Sequence, residues 1–123
     1  MAKSKLQIDE REMGDITVLT LTGEITLDDG DLVFGRYVDQ VLARKRVKIL
    51  VDLAGVTYID SSGIGMMVAE LRLARKHGGD MRLMRLTSRG QRLFALLKLR
   101  STFETFEDEV LAVHSFELRP TAG

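Results

Sequence analysis

The spacing of apolar residues changes several times along the chain, and each change predicts an element. Leu6 and Ile8 alternate with polar neighbours, and Ile16-Thr17-Val18-Leu19-Thr20-Leu21-Thr22 is crowded with β-branched residues, so both segments predict strands. Gly14-Asp15 supplies turn chemistry between them, which makes the pair an antiparallel hairpin. Beyond Gly23 the period becomes helical. Phe34, Tyr37, Val38, Val41 and Leu42 follow Asp28, Asp29 and Asp31, acids suited to the positive end of a helix.

Val47 to Leu53 is a short apolar run rich in β-branched residues, the signature of a strand buried on both faces of a largely parallel sheet. A second helix is expected from about Gly63 to Lys76, closed by His77-Gly78-Gly79. Met81-Arg82-Leu83-Met84 predicts the next strand. Ser88 with Gln91 forms a capping box for a third helix through Leu97. A short strand near Thr102-Phe103 and a last helix from about Glu107 to Phe116, with Thr105 and Asp108 as its capping pair, complete the pattern. This order is that of an α/β domain with one central mixed, mostly parallel sheet of about five strands and about four helices. Helices should cover it unevenly, and the turn at Asp60-Ser61-Ser62 should lie on the carboxyl edge of the sheet, where partners and ligands of such folds sit.

Composition narrows the function more than the fold. The 123 residues, 45% hydrophobic, fit a single domain over 1–123, with a core at roughly 6–116 and loose termini. The lone proline, Pro120, leaves no internal linker. Eighteen basic residues balance eighteen acidic ones, which removes the electrostatic drive for nucleic-acid binding or recruitment to an anionic membrane. The absence of cysteine excludes disulfides and thiol chemistry, and no apolar run reaches membrane-spanning length, so a cytoplasmic protein is expected.

The candidate site is Asp60-Ser61-Ser62-Gly63-Ile64-Gly65. Two hydroxyls open a helix, an acid precedes them and two glycines follow. Backbone amides and the helix dipole gather at such a point, so an attached phosphate should be tolerated by the fold while repelling any surface that docks on a neutral hydroxyl. Plain capping explains one such side chain, yet three compete here, and Gly63 and Gly65 are poor helix formers placed where another molecule's backbone could approach.

With these residues in view, the chain resembles the STAS family, in particular its anti-sigma factor antagonists. Gly23-Glu24-Ile25 resembles the family's Gly-Glu-Leu-Asp; Val51-Asp52-Leu53 with Val56-Thr57-Tyr58-Ile59-Asp60-Ser61-Ser62-Gly63-Ile64-Gly65 resembles its central signature; Gly78-Gly79 and Arg92-Leu93-Phe94 fit its later pattern. The resemblance implies a binding module and no enzyme, working without a cofactor or metal as a monomer or weak dimer. The unmodified form would bind an anti-sigma factor serine kinase of the GHKL type and free a sigma factor. Phosphorylation of Ser61, with Ser62 as second choice, would end that binding, and a PP2C-type phosphatase would restore it. Asp60, Ser62, Gly63 and Gly65 would shape the phosphosite, and Glu24, Thr26, Ile64 and Met66 would contact the partner. Thr26 stands where the pattern has aspartate, a departure that bears on partner choice. The alternative is a constitutive scaffold subunit of a stressosome-like or lipid-transport complex.

The remaining constellations are weaker. Met66, Ala69 and Leu73 form a second apolar stripe on helix two, suited either to packing or to docking. Arg82, Arg85, Arg89 and Arg92 read first as a solvated basic face, with Arg85 or Arg89 as contacts for an acidic partner or a phosphate. His77 and His114 are too isolated for a serine hydrolase or a zinc site, and Gly63-x-Gly65 lacks the lysine of a phosphate-binding loop.

Overall fold

A computed structural model describes residues 4–27 and 29–118, so Asp28, Pro120 and most of the expected loose termini lie outside the described residues. The first hairpin forms as its sequence predicts: β1 (Leu6–Met13) pairs antiparallel with β2 (Ile16–Ile25), turning at Gly14 with φ +61°. Then come α1 (Gly30–Ala43), β3 (Lys48–Ile59), α2 (Ser61–Lys76), β4 (Asp80–Met84), α3 (Ser88–Leu96), β5 (Thr105–Phe106) and α4 (Glu109–Leu118). The five strands lie in the order β1-β2-β3-β4-β5, all parallel beyond the first pair. This is the expected mixed sheet with four helices.

Alternation along the strands sends side chains to two unequal cores. Leu19, Leu21, Ile49, Val51, Met81 and Leu83 meet Phe34 and Val38 of α1, Met67 and Leu71 of α2, and Phe94 of α3 on one face. On the other, Ile16, Val18, Leu50 and Met84 meet Ala112 and Phe116 of α4, with Val113 and Phe106 packed alongside. Uneven cover is therefore real, and it puts α1, α2 and α3 together on the face that carries the candidate site.

Several boundaries differ from expectation, each for a local reason. β3 runs on to Ile59 because Gly55 lets the strand pass close to Leu21 of β2, where a Cβ would sit 2.8 Å from the Leu21 carbonyl oxygen; register shifts in β2 absorb the irregularity. α2 starts at Ser61, two residues early. α3 is capped by Thr87, whose hydroxyl accepts the Gly90 N–H at 3.1 Å, so Ser88 is already helical. Phe103 leaves the sheet to pack on Phe94 with ring centres 5.6 Å apart, and pairing with β4 falls to residues 104–106. Asp108 alone caps α4, accepting the Leu111 N–H at 2.9 Å, while Thr105 belongs to β5.

Candidate functional site

β2 and β3 end side by side, Ile25 against Ile59, and each feeds a helix. Both helices begin against the last carbonyls of β2. A Cβ on Gly30 would lie 2.1 Å from the Glu24 carbonyl oxygen, and one on Gly63 would lie 2.0 Å from that of Ile25. Gly63 is thus required by this chain's own strand, not by an approaching molecule, which corrects half of the glycine reading. The other half stands differently: a Cβ on Gly65 would meet nothing within 4 Å.

Asp60 ties these starts together. Its Oδ1 accepts the Gly63 N–H at 2.9 Å as the cap of α2, and its Oδ2 accepts the Leu27 N–H at 2.9 Å from the loop before α1. The Leu27 bond first, and then the Gly63 bond, hold the carboxyl below the usual aspartate range. The amides expected to receive a phosphate are therefore partly engaged already, by a carboxylate within the turn.

Ser61 is the first residue of α2, and its side chain is exposed. Among the described residues neither its hydroxyl nor that of Ser62, which is half-buried, makes a hydrogen bond, so capping falls to Asp60 alone. A shallow depression beside the turn is lined by Glu24, Thr26, Leu27, Tyr58 and Asp60. Leu27 is 71% exposed and Tyr58 47%, with the Arg89 guanidinium 6.0 Å from the centre of the Tyr58 ring. Sequence reading had not singled out Leu27 or Tyr58. The available signal was one bulky apolar residue inside an otherwise polar loop, Thr26-Leu27-Asp28-Asp29.

The other expected contact residues divide. Glu24 is at the rim, half-buried. Ile64 is buried in the main core and Thr26 is also buried, so the surface at those places is formed by their neighbours. Met66 is half-buried and fills a notch on α1: a Cβ on Gly35 would lie 2.6 Å from its sulfur, which favours packing as the stripe's role. The basic cluster also breaks up. Arg82 is no surface charge; it is buried, paired with Asp80 at 2.9 Å and Glu104 at 3.1 Å, and stacked 4.4 Å from the centre of the Phe116 ring. Arg85 takes a left-handed backbone, φ 59°, at the end of β4. His77 Nδ1 lies 2.8 Å from the Leu73 carbonyl oxygen at the close of α2, and His114 lies on the surface of α4 beside Glu117.

Among the described residues no group of three or more histidine, aspartate or glutamate side chains could hold a metal, and no helix is long and apolar enough to cross a membrane. Comparisons with known proteins agree with the fold. The anti-sigma F factor antagonist of Paenibacillus polymyxa is 24% identical over 113 residues, 92% of this chain and 97% of that protein. The structure superposes on an anti-sigma factor antagonist from Mycobacterium paratuberculosis with a TM-score of 0.81 at 18% identity, covering 91% of this chain and 94% of the other. It also superposes on SpoIIAA of Bacillus in its phosphorylated form, with a TM-score of 0.68 at 16% identity, over 93% and 99% of the two chains. The description of the STAS domain matches residues 7–112, nearly the whole folded chain, and the chain belongs to that family.

Proposed function

We propose that this STAS domain is an anti-sigma factor antagonist, a binding module rather than an enzyme, switched by phosphorylation at Ser61. The unmodified face docks on an anti-sigma factor serine kinase of the GHKL type in the cytoplasm and displaces the sigma factor. The kinase transfers the γ-phosphoryl group of its own ATP to Ser61 Oγ: the hydroxyl loses its proton, the new O–P bond forms, and ADP leaves. A PP2C-type phosphatase hydrolyses the ester and restores the hydroxyl.

The observation that carries this reading is that the exposed Ser61 hydroxyl has no hydrogen-bond partner among the described residues, on a surface otherwise prepared for contact. Asp60 does the structural work of the turn, so Ser61 is not needed as a cap. Gly65 lies one helical turn further on and leaves bare backbone, although nothing among the described residues requires a glycine there. Leu27 and Tyr58 supply apolar area alongside. A phosphate on Ser61 would add close to two negative charges next to a carboxylate that stays ionised, and repulsion from Asp60 would push the ester outward into the docking plane. The names of similar proteins support the partner class, and the phosphorylated form of SpoIIAA supports the type of switch.

The test is to incubate the protein with its cognate anti-sigma factor kinase and ATP and locate the modified residue by mass spectrometry. Phosphate on Ser61 is expected; modification confined to Ser62, or none, refutes the assignment.

A further inference from the structure

Four buried carboxylates among the described residues meet their surroundings in different ways. Asp80 is held by Arg75 and Arg82, Asp52 faces Arg85 and accepts the Ala54 N–H, and Asp31 accepts the Leu32 N–H. Glu70 has none of this. It is 6% exposed on α2, and its Oε1 is buried without any hydrogen-bond partner. Its polar neighbour is another acid, Asp39 of α1.

The pair sits at a defined place in the seam between the two helices. Met66 packs on Gly35, and Glu70 and Asp39 each lie four residues further on, which is the next rung on the same helix faces. Two carboxyl groups can hydrogen-bond only if one keeps a proton. Burial acts first and Asp39 second to raise the Glu70 carboxyl to about 8, so the proton resides on Glu70 at neutral pH. Among the described residues no cation offsets this. Arg36 on α1 and Arg72 on α2 do not act on Glu70, Arg75 is turned to Asp80, and the strands beneath α2 contribute apolar side chains such as Val51, Met81 and Leu83.

We propose that Glu70 and Asp39 form a proton-dependent clasp between α1 and α2, in which one shared proton holds the helices together and its loss sets two carboxylates against each other. The consequence reaches the site by geometry. α1 and α2 start on either side of the Asp60 bonds, so a loosened seam alters the setting of Met66 and the turn that carries Ser61. The clasp does not depend on the assignment of Ser61.

The sign of its effect on stability is fixed. The unfolded chain releases the Glu70 proton near the ordinary glutamate value while the folded chain keeps it up to about 8, so stability falls as pH rises between those values and levels off above them. The experiment is a carboxyl-carbon NMR titration of Glu70 in the wild-type protein and in Asp39→Asn, with thermal melting from pH 5 to 9 of wild type and Glu70→Gln. The account expects a Glu70 midpoint near 8 that moves down by about a unit or more in Asp39→Asn. It also expects a melting temperature that drops with rising pH more steeply in wild type than in Glu70→Gln, by about 5 °C or more over the range. A Glu70 midpoint in the ordinary glutamate range, or parallel melting curves, would overturn it. If Glu70→Gln does not fold, the titration of the other two proteins decides alone.

Discussion

Two glycines only two positions apart on α2 should respond to the same substitution in opposite ways. Gly63→Ala places a methyl group 2.0 Å from the Ile25 carbonyl oxygen, where ordinary contact needs more than a further ångström. The obstacle is backbone at the end of a central strand, so it cannot rotate away, and helix and strand must part and strain the Asp60 cap. A cost of about 3 kcal/mol follows, the upper part of the range for overpacking. Gly65→Ala meets nothing within 4 Å and replaces the poorest ordinary helix former with the best, a gain of about 0.8 kcal/mol. At roughly 4 °C per kcal/mol for a domain of this size, melting should fall by about 12 °C in the first variant and rise by about 3 °C in the second. Differential scanning calorimetry reads both. Binding to the cognate anti-sigma factor supplies the second axis: Gly65→Ala should bind more weakly despite its higher stability, because its methyl group stands on the docking face. A stabilised Gly63→Ala would refute the close-approach argument, and a Gly65→Ala that binds at wild-type affinity would remove the bare surface from the docking account.

Other perturbations probe the rest of the frame. Asp60→Ala removes the α2 cap and the bond to Leu27 and should destabilise by about 2 kcal/mol in chemical denaturation. Because the folded state holds Asp60 below its ordinary value of 3.8, its contribution is present above that pH and fades as acid takes the solution through the lower folded value; acid unfolding of Asp60→Asn should lack this component. Arg82→Met leaves Asp80 with the half-exposed Arg75 and the Met81 N–H, and a loss of about 3 kcal/mol is expected; an unchanged denaturation midpoint would show that the buried pair is replaceable by apolar volume. Met66→Ala opens the notch at Gly35 and should cost about 2 kcal/mol whether or not a partner is present, which separates packing from docking at that residue.

Much of the fold was legible in the chain because periodicity is a local property. The hairpin, the helical spacing from Phe34 to Leu42 and the apolar run at Val47–Leu53 all become the elements they predict. What was not legible depends on contacts distant in sequence. Nothing near Ala54-Gly55 signals that β3 continues, since the reason is the Leu21 carbonyl on the neighbouring strand. Phe103 looks like strand until Phe94 takes it into the core, and Arg82 looks like surface until Asp80, Glu104 and Phe116 enclose it. The site followed the same rule. The turn forms at the end of β3, but that Asp60 engages Leu27 as well as Gly63 is visible only once the loop before α1 is folded against it. Nothing in the sequence around Glu70 singles it out, because its acidic neighbour lies on α1.

The claim on which the functional account turns is that the charge state of Ser61 decides partner binding while the fold stays the same. Calorimetric titration of Ser61→Ala and Ser61→Asp against the cognate anti-sigma factor tests it most directly, with melting temperatures as the control for folding. The account predicts that Ser61→Ala binds like the unmodified protein, that Ser61→Asp binds at least tenfold more weakly, a difference of about 1.4 kcal/mol, and that the two melt within a few degrees of each other. Equal affinities for the two variants would contradict it.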